Sequence, residues 1–219
     1  MNPLSTQTNS PLPSKIVCVG RNYAEHAREL GNDVPETPVL FLKPPSSVIG
    51  LEQGIAWNRD LGECHFECEL SIRIGRRLKN ATREQAQAAI AGVTLGLDLT
   101  LRDLQNQLKQ KGQPWERAKA FDGACVLGQW LAPDMLCDLG KTSFELSVND
   151  EVRQQGNTAD MLFGVVELLV DISQVFTLEV EDVVMTGTPA GVAALASGDE
   201  LKMTLHTVLG SVTWQTFVA

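Results

Sequence analysis

At 219 residues the chain spans about one to one and a half average domains, long enough to bury a sizeable core without disulfides or a structural metal. Its 43% hydrophobic and 21% charged residues are ordinary for a globular protein, and a net charge of −9 argues against a nucleic-acid binder or attachment to anionic lipid. An acidic protein still binds an acidic substrate where a cation or local basic groups reverse the field.

Residues 1–14, rich in Pro, Ser, Thr and Asn, read as an extended arm ahead of a single domain over residues 15–219. The arm has neither the basic start nor the apolar run of a signal peptide. No apolar run in the chain reaches the roughly 18 residues that span a bilayer. Five cysteines with no CxxC pair predict reduced thiols in a cytoplasmic protein. The β-branched run at 16–19 and the apolar run at 38–42, ended by Lys43-Pro44-Pro45, predict strands. Between them residues 23–30 read as a short helix that stops at Gly31-Asn32-Asp33. Thr82 with Gln85 forms a capping box before an Ala-rich helix over 83–91. Residues 92–100 then read as a strand and 101–111 as a helix. Residues 144–148, the Asn149-Asp150 turn and the run from Val152 predict a hairpin. Thr158 opens an apolar helix, and strands at 183–186, 201–205 and 212–217 close the chain. Strands outnumber helices and do not alternate with them, so the pattern predicts a sheet-rich α+β fold.

The segment from His65 to Ile74 carries the most chemistry. Odd positions (His65, Glu67, Glu69, Ser71, Arg73) are polar and even positions apolar, the period of a strand with one face in the core. Glu67 and Glu69 therefore project side by side, roughly 6–7 Å apart at the backbone. Two such carboxylates repel unless a cation or a proton lies between them. They fit either a metal site or a solvated polar face on an edge strand. The same alternation turns Cys64 and Cys68 to the apolar face, which makes a zinc site from Cys64, His65 and Cys68 geometrically poor. On the short helix His26 and Glu29, three apart, share a face, as a general base and its orienting carboxylate do; an exposed surface helix also carries such pairs. Asp98, Arg102 and Gln105 form a set where a strand meets a helix, and Lys119 is a lone cation between apolar neighbours. The glycine-rich stretch 186–191 lacks the spacing of a nucleotide-binding loop.

Taken together these segments resemble the fumarylacetoacetate hydrolase family, in particular its small acylpyruvate hydrolases and oxaloacetate decarboxylases. The matching stretches are Gly20-Arg21-Asn22-Tyr23, residues 38–44, the His-x-Glu-x-Glu-Leu run at 65–70, residues 97–105, Gly112-Gln113-Pro114-Trp115, residues 118–122 and residues 186–192, in the family's order. Many relatives carry a second histidine where this chain has Phe66, which by alternation faces the core. The resemblance implies a mixed β-roll, usually a homodimer, acting on a small 2-oxo acid with a further acyl or carboxyl group at C3. It implies Glu67, Glu69 and Asp98 as ligands of one divalent ion, and the all-oxygen set suits Mg²⁺ or Mn²⁺. It further implies His26 and Glu29 as a dyad on a mobile lid and Lys119 as a catalytic cation, with Arg21, Arg102, Gln105 and Thr188 lining the substrate. A metal-stabilised enolate then leads to three outcomes. Hydrolysis of an acylpyruvate to pyruvate and an acid is the leading expectation. Oxaloacetate decarboxylation or tautomerisation follows, and then an isomerase or hydrolase of aromatic-compound breakdown. A non-catalytic oxo-acid binder is the alternative from a different class.

Overall fold

A computed structural model describes residues 12–219, so the first eleven residues of the expected arm lie outside the described residues. In chain order the elements are β1 (Ile16–Gly20), α1 (Ala24–Glu29), β2 (Val39–Lys43), β3 (Val48–Gly50), β4 (Cys64–Phe66), β5 (Cys68–Ile74), α2 (Arg83–Ala88), β6 (Ile90–Asp98), β7 (Thr100–Leu101) and α3 (Arg102–Gln110). They continue with α4 (Glu116–Lys119), β8 (Cys125–Leu127), β9 (Ser143–Val148), β10 (Glu151–Asn157), α5 (Val165–Val175), β11 (Val183–Met185), β12 (Ala193–Ala194), β13 (Glu200–Thr207) and β14 (Gly210–Phe217). A seven-stranded mixed sheet runs β2-β1-β11-β5-β6-β8-β3, beside a four-stranded sheet β10-β9-β13-β14 and a three-stranded sheet β12-β4-β7. The β1–β11 and β3–β8 pairs are parallel and the other ladders antiparallel. This is the sheet-rich α+β fold that the strand count predicted and the mixed roll that the resemblance implied. Among the described residues no helix is long and apolar enough to cross a membrane.

The core forms where β5 and β6 lie centrally. Leu70, Ile72 and Ile74 of β5 and Leu95 and Leu97 of β6 are fully buried, each worth roughly 1.5–3 kcal/mol of burial. Leu168, Leu169 and Ile172 of α5 join the same cluster. Phe66 is buried with them, as its alternation required.

Three elements depart from the sequence reading. The expected strand 65–74 is two strands, broken at Glu67: β4 pairs with β7 and β12, whereas β5 pairs with β6 and β11. The break has a tertiary cause, since the Cys68 N–H donates to the Gln154 side chain at 2.9 Å. The helix from Arg83 stops at Ala88, because Ile90 already enters the β6 ladder. The helix expected from Thr158 begins only at Val165. Asn157 caps a single 3₁₀ turn over Thr158–Asp160, and Asn22 then holds Leu162 and Phe163 in a non-helical bend by hydrogen bonds of 2.8 and 2.9 Å. The hairpin at Asn149-Asp150 forms as expected, with φ of 52° and 65° at the two turn residues, the left-handed pair that suits a tight β-turn.

Asp182 anchors the start of the fold. Its buried carboxylate accepts from Ser14 N–H (2.9 Å), Ser14 Oγ (2.7 Å), Lys15 N–H (3.1 Å) and Glu179 N–H (2.8 Å), and it pairs with the Lys15 ammonium. Burial pushes its pKa up, but Lys15 and the amide donors outweigh burial and hold it below the ordinary value. A depressed folded pKa stabilises above the unfolded value of about 3.9, and that stability disappears as pH falls through the folded value. Asp182→Ala is expected to cost about 3 kcal/mol at neutral pH, read by urea denaturation, and to flatten stability against pH below about 4.

Candidate metal and substrate site

Three carboxylates meet at the mouth of the β5–β6 ladder. Glu69 lies on β5, Glu67 at the β4–β5 break, and Asp98 at the end of β6. The register sets Cys68 opposite Leu97, so Asp98 falls beside Glu67, and its N–H donates to the Glu67 carbonyl at 2.8 Å. One oxygen from each carboxylate lies within 4.8 Å of the others. All three side chains are buried, at 5%, 2% and 1% exposure for Glu67, Glu69 and Asp98, which rules out a solvated edge-strand face.

Cations surround this set unevenly. The Lys119 ammonium donates to Glu67 Oε2 (2.8 Å), Asp98 Oδ2 (2.7 Å) and Thr100 Oγ1 (2.6 Å), which occupies its three donors. Burial opposes its charge, but Asp98 and Glu67 outweigh burial and hold Lys119 well above the ordinary lysine range. Arg102 donates to Glu67 and, at 2.8 Å, to Gln105 Oε1. Burial would raise Glu67, yet Lys119 and Arg102 hold it far below the usual carboxylate range. Lys43, fully buried, lies 2.8 Å from Asp98 Oδ1, although that oxygen has no aligned hydrogen bond. Glu69 has the weakest compensation: the Gly187 N–H donates to it at 2.7 Å, and burial, then Asp98 and Glu67, push its carboxyl well above the usual range.

A divalent ion fits this donor set. Three buried hard oxygens face one another, one Asp98 oxygen lacks an aligned donor, and Glu69 has no cation in ion-pair range among the described residues. Among the described residues no other group of three candidate ligand side chains comes together. Cys64 and Cys68 are buried in the core, the face to which the alternation assigned them, with burial raising both thiols, Cys64 to about 12.

On the open side, α1 sets His26 over the site with Nδ1 3.2 Å from Glu29 Oε2. His26 is only 5% exposed, and the Gly191 N–H reaches the Glu29 carboxylate at 3.0 and 3.3 Å. His26 is thus turned inward, while the exposed Glu29 ties α1 to the turn after β11. Thr188 Oγ1 donates to the Cys68 carbonyl at 2.9 Å. Gln154 of β10 receives the Cys68 N–H and donates to Thr188 Oγ1 (2.8 Å) and the Pro189 carbonyl (2.9 Å).

The fumarylacetoacetate hydrolase C-terminal family model matches residues 15–215. The chain belongs to the fumarylacetoacetate hydrolase family. It is 52% identical over 192 residues to oxaloacetate tautomerase YcgM of Escherichia coli K12, covering 87% of this chain and 88% of that one. It is 40% identical over 189 residues to the mitochondrial oxaloacetate decarboxylase of Dictyostelium discoideum, covering 86% and 87%. The crystal structure of fumarylpyruvate hydrolase from Pseudomonas aeruginosa in complex with Mn²⁺ and pyruvate superposes with a TM-score of 0.85, at 31% identity over 98% of this chain and 100% of that one.

Within this fumarylacetoacetate hydrolase fold, Glu67, Glu69, Asp98, Arg102, Gln105 and Lys119 converge, with His26, Glu29 and Thr188 on adjoining segments. Arg21 lies half-buried at the end of β1. Two residues beside the triad carry no role in the sequence reading. Lys43 is legible only as the polar stop after a strand. Gln154 enters the interior because a bulge between Val152 and Gln154 re-aims the edge strand, and no sequence period announces that.

Proposed function

We propose that the chain catalyses keto–enol tautomerisation of oxaloacetate with Mg²⁺ or Mn²⁺ held by Glu67, Glu69 and Asp98. The observation that carries this reading is the 52% identity to an oxaloacetate tautomerase along 87% of the chain. Acylpyruvate hydrolysis, the leading expectation from the sequence, gives way because both curated relatives described above are named for oxaloacetate. Hydrolysis stays as the second reading, favoured by the likeness to fumarylpyruvate hydrolase.

Tautomerisation moves a proton between C3 and the C2 oxygen. With Nδ1 hydrogen-bonded to Glu29, His26 presents Nε2 to accept the C3 proton and return it to the C2 oxygen. A bound divalent ion supplies Lewis-acid polarisation of the 2-oxo group. Arg102 adds a fixed guanidinium beside it, oriented by Gln105. Lys119, with its donors occupied, serves as positive charge beneath the carboxylates rather than as a proton donor. Thr188 and Gln154 fix the backbone between the two glutamates, which sets the spacing of the ligands.

A substrate panel tests the reading. The purified protein with Mg²⁺ is expected to speed decay of enol-oxaloacetate absorbance, and NMR should show keto-oxaloacetate ahead of any pyruvate. Acetylpyruvate cleaved to pyruvate and acetate, with no effect on the oxaloacetate enol, would overturn it in favour of hydrolysis.

A further inference from the structure

Three cations, Lys43, Lys119 and Arg102, match the three carboxylates of the triad. Two more cations, both half-buried, have no carboxylate in ion-pair range among the described residues, in a chain of net charge −9. The first is Lys109. Arg102, Gln105 and Lys109 follow one another at i, i+3 and i+7 on α3 and so share a face. Lys109 thus sits about 10 Å of helical rise from Arg102, and the charges of Arg102, Glu67 and Lys119 act on its ammonium. Its ammonium donates only to a neutral acceptor, Asn32 Oδ1 at 3.2 Å, and lies 5.8 Å from the Trp115 ring centroid. Trp115 packs at 5.9 Å against Phe41, and Lys119 lies 5.1 Å from the Phe41 centroid. Lys109 and Lys119 therefore flank one aromatic pair, the second of them at the triad.

The second cation is Arg21. It follows Gly20, where an added Cβ would lie 3.8 Å from Trp115, so its backbone borders the same ring. Arg21 holds φ at 58°, a left-handed conformation that costs an ordinary residue about 1 kcal/mol and that glycine adopts freely. An arginine retained in such a conformation points to a use for its side chain. Burial, then the charges of Arg21 and Arg102, push the Lys109 ammonium below its ordinary value, a repulsion that a bound anion would relieve.

We propose that Arg21 and Lys109 form a second anion subsite, which holds the distal carboxylate of a 2-oxo dicarboxylate whose other end lies at the triad. The inference rests on the oxo-acid reading of the site and deepens it. A four-carbon dicarboxylate has a charge to place there, whereas the methyl ketone tail of acetylpyruvate has none. The subsite thus selects dicarboxylates over neutral acyl tails.

The test uses Mn²⁺-loaded full-length protein and two 2-hydroxy acids, L-malate and L-lactate, which share a chelating end and differ by the distal carboxylate. Calorimetry is expected to show malate binding about tenfold or more tighter than lactate. Lys109→Met should remove most of that preference and leave lactate and Mn²⁺ affinity unchanged, and Arg21→Gly should likewise remove most of the preference. Arg21→Gly suits the backbone at that position, so it is expected to fold with an unchanged or higher melting temperature. No malate preference in the wild type, or a preference that survives in the double variant, would overturn the subsite. A parallel loss of malate and lactate affinity would overturn it also, by tracing the effect to the triad. Malate selectivity is independent of turnover: its presence without oxaloacetate tautomerisation would overturn the tautomerase reading and keep the subsite.

Discussion

Glu69→Gln is expected to abolish tight Mn²⁺ binding and to lower turnover at least a hundredfold, about 2.7 kcal/mol of transition-state stabilisation. Glu69 is one of three buried carboxylates within 4.8 Å, and it has the fewest cationic partners. Lys119 and Arg102 charge-pair with Glu67, and Lys43 and Lys119 with Asp98, whereas Glu69 has only the Gly187 N–H. A glutamine keeps the volume and an oxygen to receive that N–H, so the fold should survive. Glu69's raised folded pKa also gives a sign to the metal-free protein's stability. Such a group favours the folded state most at pH below its unfolded value, near 4.3, and that contribution falls as pH rises toward the folded value. Metal-free Glu69→Gln should therefore lose part of the decline in melting temperature with rising pH, and should melt no lower than wild type at neutral pH. Added Mn²⁺ should raise the wild-type melting temperature and leave the variant's unchanged. Equal Mn²⁺ affinity in both proteins would remove Glu69 from the ligand set.

The site was legible in proportion to how local its signals are. Two-residue alternation correctly put Glu67 and Glu69 together and Cys64, Phe66 and Cys68 in the core, although it read one strand where there are two. The break depends on Gln154, which is 86 residues from its Cys68 partner, and no window along the chain contains both. Asp98 lies 29 residues beyond Glu69, and only the β5–β6 register, with Cys68 opposite Leu97, brings it to Glu67. Family resemblance supplied that residue; spacing did not. The Asn149-Asp150 turn was readable because its chemistry is confined to two residues. The start of α5 was not, because apolar composition continues through Met161, Leu162 and Phe163. There the competing partner is Asn22, more than a hundred residues upstream. The role of Lys109 is hidden in the sequence for a related reason. Its helical spacing from Arg102 and Gln105 is legible, but its importance depends on having no acid in ion-pair range among the described residues, which is a fact of three dimensions.

His26→Gln should remove about two to four orders of magnitude of tautomerase activity, the range of a positioned general base. Glu29→Gln should cost less, about tenfold. The glutamine oxygen can still receive the Gly191 N–H, so the tie between α1 and the turn after β11 persists. What changes is the group facing His26 Nδ1: an amide nitrogen there disfavours the tautomer that leaves Nε2 free to accept. Neither change touches the triad, so Mn²⁺ affinity and malate binding should stay at wild-type values. That split between chemistry and binding distinguishes a base from a structural histidine, because a collapsed α1 would carry Arg21 and the ligand affinity down with it. Stopped-flow decay of the oxaloacetate enol, beside calorimetry of malate, reads both quantities on the same preparations. Full tautomerase activity in His26→Gln would reduce the dyad to a buried polar contact. A loss matched by an equal fall in malate affinity would assign α1 to ligand positioning, with the C3 proton then taken by a group outside the dyad.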